Sequence, residues 1–311
     1  MNISILATES LGVRGLSCLV CTGARRILID PGIALGYLRH GMLPHPFQVR
    51  TGSMLRNTIL HNLHTATDVV ISHFHGDHIP LKKANPFQLS LTDAAPFLAT
   101  VQLHAPGEKD LPDVMLQRRQ DLEQAAGHDI GDASGMSIGP MRFSLPVFHG
   151  TRGSRQGTVM MTRISEPGTT FVHASDIQLL DQTAIDTILA WHPDIVLASG
   201  PPLYLNRLSP AEQDTAWAHA VELALGVETL ILDHHLLRCE EGILWLDRLR
   251  QKTGRNVLCA ADFMKKRRCF LEAWRKELYE DMPVPEGWHA ACARGDVDTS
   301  AWLSWRGFNL R

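Results

Sequence analysis

Apolar and polar positions alternate through the opening third of the chain in the manner of half-buried strands. Such runs cover 3–7, 17–22 and 25–30, with Gly23-Ala24 as a tight turn between the last two and Asp30-Pro31-Gly32 closing the third. A helix is predicted over 53–63, followed by Asp68-Val-Val-Ile-Ser72, a short β-branched run suited to a strand covered on both faces. That strand runs directly into His73. From Pro80 to about Gly131 the pattern loosens, with one helix predicted over 112–126, and the segment reads as an insertion covering one edge of the domain. Strand signals return over 141–148, 157–164 and 169–172, and helix then alternates with strand: helix 180–190, strand 194–198, and a helix opened by Ser209-Pro210-Ala211-Glu212 and closed at Gly226. The opening has a serine cap, proline in the first helical position and a glutamate placed to bond back to the cap. Glu228-Thr-Leu-Ile-Leu-Asp233 then repeats the earlier arrangement, a buried strand running into a histidine, His234. Two halves of similar plan predict two packed sheets with helices outside.

The 311 residues are 44% hydrophobic and 20% charged, which supplies a sizeable core and excludes intrinsic disorder. An α/β chain of this length fits one domain over 1–311, with an extension from about residue 286. Thirty Lys and Arg against 33 Asp and Glu leave a net charge of −3, so no global positive field gathers nucleic acid. No run approaches the roughly 18 apolar residues of a membrane span, and the start lacks a basic leader with an apolar stretch, so a cytoplasmic location is expected. Six cysteines are too sparse for a disulfide framework and are expected as thiols. Cys18 and Cys21 stand three apart on a strand, facing opposite sides, which argues against a zinc knuckle.

The chemistry concentrates at His73-Phe74-His75-Gly76-Asp77-His78. His73 and His75 share one side of an extended backbone, Gly76 permits a sharp turn, and Asp77 and His78 return to the same space. Single histidines are usually satisfied by nearby carbonyls, but four imidazole and carboxylate donors in six residues form the set that borderline divalent ions prefer.

This segment, after Val-Val-Ile-Ser and behind Ile-Leu-Ile-Asp30-Pro31-Gly32, resembles the metallo-beta-lactamase superfamily. The resemblance covers most of the chain to about residue 240. It implies a four-layer αββα sandwich of two mixed β-sheets. It also implies two divalent metal ions, zinc first, with manganese and iron suited to the same donors. His73 and His75 match the first metal site, completed by His149 of Pro146-Val-Phe-His149-Gly150. Asp176 matches the carboxylate shared between the ions. Asp77 and His78 match the second site, closed by His234 or His235; aligning strand with strand selects His234. Asp30 matches a residue that orients the metal loop from behind, alongside the catalytic carboxylates Asp77 and Asp176. The implied reaction is hydrolysis of an ester-like bond in an ester, lactone, thioester or phosphodiester by a metal-bridging hydroxide. Asp233, His173 and the unbound member of the His234/His235 pair are candidates for the leaving-group acid. Glu9 to Arg14, Arg39-His40-Gly41 to Pro44-His45-Pro46, and Ser199-Gly200-Pro201-Pro202 resemble a prokaryotic branch of predicted metal-dependent hydrolases, with Arg14, His40 and His45 as candidates for the substrate cleft.

A nuclease or phosphodiesterase is the nearest rival, encouraged by Lys265-Lys-Arg-Arg268, Arg275 and Lys276 on an expected C-terminal helix. Glu272, Glu277 and Glu280 interleave with these cations as on a solvated helix face, so a small-molecule substrate is preferred. A di-iron oxidoreductase usually replaces a histidine with a carboxylate and carries a flavin domain, whereas His75 is present here. A noncatalytic metal-binding protein is the third alternative. Trp245, Leu246 and Leu249 have core spacing, and Leu271 and Trp274 are expected to anchor the C-terminal helix. The tail, with Trp288, Trp302 and Trp305, packs across the fold or against another subunit; the sequence assigns no oligomeric state.

Overall fold

In the computed structural model, which describes residues 1–153, 157–205 and 207–303, the early alternation becomes three antiparallel strands: β1 (Asn2–Ala7), β2 (Ser17–Cys21) and β3 (Arg26–Ile29). Next to β3 lies β4 (Asp68–Val70), parallel to it and buried at all three positions. β5 (Gln102–His104) extends the sheet in parallel, giving the order β1-β2-β3-β4-β5. Segment 80–131 is therefore more than a cover, because it supplies this sheet's edge strand. Three residues with mixed polarity are too few for a period of two to register.

The helix preceding β4, α1 (Pro46–His64), starts well before residue 53. His45 Nδ1 accepts the Phe47 N–H, and Gln48 Oε1 accepts the His45 N–H, a capping box built on a histidine that ordinary cap preferences do not suggest. Segment 80–131 also carries α2 (Leu91–Leu98), absent from the sequence reading, and α3 (Asp113–Ala126).

The second sheet contains β6 (Ser137–Ile138), β7 (Met141–Phe143), β10 (Thr162–Glu166), β11 (Thr169–Ser175), β12 (Ile195–Ala198), β13 (Thr229–Leu232) and β14 (Asn256–Leu258). Its order is β14-β13-β12-β11-β10-β7-β6. The run from β11 to β14 is parallel and the β6, β7, β10 and β11 neighbours are antiparallel, so the sheet is mixed. The runs predicted at 141–148 and 157–164 each break, and β8 (Val147–Phe148) pairs with β9 (Thr158–Val159) as a separate ribbon. Pro146 has no backbone N–H to continue the ladder.

Between the sheets, Ile5, Cys18, Val20, Ile27, Ile29 and Val70 pack against Phe143, Ile164, Phe171, Leu197 and Ile231. The alternate residues Leu19, Leu28 and Val69 face outward onto Ile59, Leu63, Leu98 and Leu122 of α1, α2 and α3. On the far side, Val172, Val196 and Leu230 meet α4 (Gln182–Ala190), α5 (Pro210–Gly226) and α6 (Glu240–Thr253). Helix, sheet, sheet and helix thus form the four layers. α5 opens on the predicted capping box of Ser209 and Glu212. Trp245, Leu246 and Leu249 lie in the core as their spacing predicts. Cys18 and Cys21 face opposite sides of β2, and all six cysteines are free.

The basic C-terminal run does not share one helix with Arg275 and Lys276. α7 (Ala260–Phe263) ends before it, and α8 (Arg275–Asp281) begins after it. Arg268 bonds Asp262 through Nε and Nη2, and Arg275 is buried against Gln48 Oε1 and the Met42 carbonyl. Leu271 is buried and Trp274 packs partly buried on the second helical layer. α9 (Trp288–Arg294) buries Trp288 against the first, while Trp302 meets the His45 ring; Trp305 lies outside the described residues. Among the described residues no helix is long and apolar enough to cross a membrane.

Asp68 locks the two parallel strand pairs together. Its Oδ1 accepts from Arg25 Nη1 at 2.5 Å and His104 Nε2 at 2.9 Å, and its Oδ2 from Thr67 Oγ1 at 2.7 Å. Burial raises this carboxyl's pKa, but the His104 and Thr67 hydrogen bonds and the Arg25 charge prevail and hold it below the ordinary range. A depressed carboxyl stabilises the fold above the unfolded-state pKa and loses that contribution as pH falls through the folded-state value. Asp68→Asn is expected to cost about 1–3 kcal/mol at neutral pH. Urea unfolding of both proteins at descending pH should show the gap closing in acid; a gap independent of pH would remove the carboxylate's charge from the account.

Candidate metal centre

The candidate residues stand where strands end. β4 leads through Ile71 and Ser72 to His73, β8 into His149, β11 into Asp176, and β13 through Asp233 to His234. Asp30, Ser175 and His234 have φ of 49°, 54° and 47°, in the left-handed region, so the chain turns out of β3, β11 and β13 abruptly and aims the next side chains into one space. The loop from His73 to His78 crosses directly over Gly32. A Cβ there would lie 2.2 Å from His78 C and Ile79 N. Gly32→Ala must therefore push the loop away, at an expected cost of about 3 kcal/mol or more together with weakened metal retention. Thermal melting and metal content of the purified variant check this; wild-type values for both would overturn it.

Several overlapping groups of donors converge. One atom each from His73, His75, His149 and Asp176 lie within 4.8 Å of one another, and the same holds for Asp77, His78 and His234 and for Asp176, His234 and His235. Within the first set, His73 Nε2 is 2.9 Å from His75 Nδ1 and 3.7 Å from Asp176 Oδ2. The other carboxylate oxygen, Asp176 Oδ1, is 3.2 Å from His78 Nε2 and 3.5 Å from His234 Nε2. His235 Nε2 approaches Asp176 Oδ2 to 3.3 Å, so both members of the pair reach the shared carboxylate.

Three rings are held in the orientation a metal ligand requires. His73 Nδ1 bonds Ser72 Oγ at 2.8 Å, His78 Nδ1 bonds Asp30 Oδ2 at 2.9 Å, and His149 Nδ1 bonds the Asp176 carbonyl at 3.2 Å. With the hydrogen on Nδ1, each Nε2 lone pair points inward. His78 Nε2, His149 Nε2 and Asp176 Oδ1 are buried without a hydrogen-bond partner, a costly condition that a cation relieves. Burial pushes the His149 imidazole down to about 3 and the His75 imidazole below its ordinary value; His73 falls well below, with the His78 charge adding to burial. All three therefore present as neutral ligands. For Asp176, burial opposes ionisation, but the histidines, His78 foremost, hold its carboxyl well below the carboxylate range.

Residues 25–252 match the family model for the beta-lactamase superfamily domain. The chain belongs to that superfamily. It is 48% identical over 303 residues to a UPF0282 protein of Methanosarcina mazei, covering 97% of this chain and 100% of the relative. A UPF0282 protein of Pyrococcus abyssi is 32% identical, covering 92% of this chain and 97% of the relative. A solved structure described as a metal-dependent hydrolase of the beta-lactamase superfamily is similar at 16% identity and a TM-score of 0.49, covering 83% of this chain and 95% of that one. The fold of that superfamily is the one formed here.

Several residues offered for the beta-lactamase-superfamily site lie elsewhere. Asp233 is a buried strut: its carboxylate accepts from Thr8 Oγ1 and the backbone N–H groups of Ser10, His234 and Ala260, all at 2.8 to 2.9 Å. His173 is buried between the sheets with Nε2 on the Leu16 carbonyl. Of the leaving-group candidates, the histidine pair alone stands at the centre, where His235 keeps 13% side-chain exposure. His45 caps α1 with its Nε2 on the Met282 carbonyl, and Arg14 forms a two-pronged pair with Glu272, so neither is free for substrate. His40 lines an open cleft of about 430 Å³ with Arg39, Tyr204 and Lys276. Gly200, in the left-handed region at φ 72°, turns the chain beneath Leu236, and the Ser199 carbonyl accepts the Leu236 N–H.

That contact seats a short 3-10 turn, Leu236–Arg238, which delivers a residue the sequence reading missed. Arg238 is buried, its Nε bonds Glu9 Oε1 at 2.7 Å, and its Nη1 bonds Tyr204 Oη at 2.9 Å. Its Nη2 lies 2.9 Å from His234 Nε2 and 3.5 Å from Asp77 Oδ2. The available signal was its place four residues after His234, meaningful only once the intervening turn is known.

Proposed function

We propose that this chain is a metal-dependent hydrolase acting on an ester-like bond of a small molecule. The observation that carries the reading is the convergence of one donor atom each from His73, His75, His149 and Asp176, with His149 Nε2 and Asp176 Oδ1 buried and unpartnered. Neutral imidazole with carboxylate suits zinc, and manganese and iron accept the same donors. A divalent ion in this set lowers the pKa of water and polarises a carbonyl or phosphoryl oxygen.

The remaining work falls to the chain. Ser72 and the Asp176 carbonyl hold His73 and His149 in the productive orientation, and Asp30 does the same for His78. His235 stands beside Asp176, and burial pushes its imidazole down to about 4, so it is neutral and suited to accept a proton, not to supply one. Cys18, Cys239 and Cys259 are made poor nucleophiles by burial, which raises Cys239 to about 11, Cys259 to about 12 and Cys18 further. Within the basic run, Arg268 is committed to Asp262 and the nearby Arg275 is buried, which supports a small substrate over nucleic acid.

The test is turnover of a panel of lactones, thioesters and phosphodiesters by protein loaded with zinc, manganese or iron. Hydrolysis that disappears on chelation and returns on reloading is expected. A metal-loaded protein inert to the panel, or salt-dependent RNA binding with RNA cleavage, would displace this reading.

A further inference from the structure

Resting on the metal-dependent reading, we propose that the guanidinium of Arg238 occupies the second cation position of the centre. The protein then holds one tightly bound divalent ion, between His73, His75, His149 and Asp176. This departs from the two ions expected by resemblance.

The first observation is the setting of His234. His73, His78 and His149 each bring Nδ1 to an acceptor, which leaves a lone pair on Nε2. His234 does the reverse: its Nδ1 accepts the backbone N–H of Gly15 at 3.1 Å. A neutral imidazole has one lone-pair nitrogen, so the hydrogen of His234 sits on Nε2, facing Asp77 Oδ2 at 3.4 Å and Asp176 Oδ1 at 3.5 Å. Turning the ring over would set a carbon against the Gly15 N–H and leave a buried donor unpaired. Gly15 is itself wedged, since a Cβ there would lie 2.7 Å from the Asp77 carbonyl oxygen and 3.1 Å from that of Gly32.

The second observation is independent. Arg238 is buried, and Glu9 and Tyr204 fix two of its nitrogens. The third, Nη2, lies 3.1 Å from His234 Nδ1, 2.9 Å from His234 Nε2 and 3.5 Å from Asp77 Oδ2. A guanidinium keeps its charge in a protein interior. Two of the donors that would bind a second ion, Asp77 and His234, are thus already engaged by a permanent cation with Glu9 behind it, while His78 Nε2 and Asp176 Oδ1 stay without a partner. Arg238 supplies there a fixed positive charge for an oxygen of the substrate that becomes negative as its bond breaks.

Titration of the purified, metal-stripped protein with zinc and separately with manganese, followed by calorimetry and elemental analysis, tests this. Wild type is expected to take one tight equivalent. Arg238→Met is expected to strengthen binding of a second by at least about tenfold, and His149→Ala to lose the first. Two wild-type equivalents of comparable affinity would overturn the proposal, as would an Arg238→Met variant with no gain. Wild type that takes no ion would overturn the metal-dependent reading as well. Should Arg238→Met fail to fold, the nitrogen-15 resonances of His234 in zinc-loaded wild type decide: a lone pair on Nδ1 supports the proposal, and a metal-bound Nε2 refutes it.

Discussion

Asp176→Ala is expected to lower the affinity of the centre for zinc or manganese by at least about 100-fold and to bring hydrolysis to background. The magnitude follows from the cost of removing groups that merely orient a ligand, about 10- to 100-fold, which the loss of a ligand itself should equal or exceed. Asp176 is the carboxylate that faces both donor sets, with Oδ2 toward His73 and His235 and Oδ1 toward His78 and His234. Elemental analysis after dialysis, paired with thermal melting to show a folded variant, measures the effect. Full metal content with unchanged turnover would place Asp176 outside the centre.

Asp30→Ala is expected to destabilise the protein by about 3–5 kcal/mol, the range for removing one partner from a buried charged network. Four polar groups converge on this buried carboxylate: Ser72 N–H at 2.8 Å, Ser72 Oγ at 2.7 Å, His78 Nδ1 at 2.9 Å and Ser175 Oγ at 3.1 Å. They come from the loop after β4 and the end of β11, so Asp30 ties the first sheet to the second immediately behind the centre. Its backbone, at φ 49°, is a conformation that asparagine tolerates and alanine adopts at a cost. Asp30→Asn is therefore expected to fold and to lose less stability than Asp30→Ala. Its amide still engages part of this network but no longer supplies a charge to Ser72 Oγ, which holds His73, so metal affinity falls by about 10- to 100-fold. Urea unfolding and metal titration of both variants separate the two roles. Equal stability of Asp30→Ala and wild type would show that the network carries no net energy.

Legibility followed the range of the interactions. The loop from His73 to His78 was readable because its donors are neighbours in sequence and a strand with a glycine turn dictates where they point. His149 and Asp176 were readable through strand ends, once the resemblance supplied their order. The pair His234 and His235 stayed ambiguous because a strand end shifts by one residue without disturbing the apolar pattern, and both rings do reach Asp176. Asp233 and His173 have the residue types of acid catalysts, yet each is spent on buried backbone groups that no pattern in sequence reveals.

What the sequence determined by itself is a pair of packed sheets with helices outside and the donor-rich loop from His73 to His78, because periodic burial and the geometry of a short loop are local properties of the chain. Tertiary structure alone decided the third-residue-scale details that govern chemistry: the edge strand β5, the capping of α1 by His45, and the meeting of Gly15, His234 and Arg238. Those contacts join residues far apart along the chain, and which nitrogen of an imidazole keeps its lone pair depends on a backbone donor whose position only the packed sheets establish.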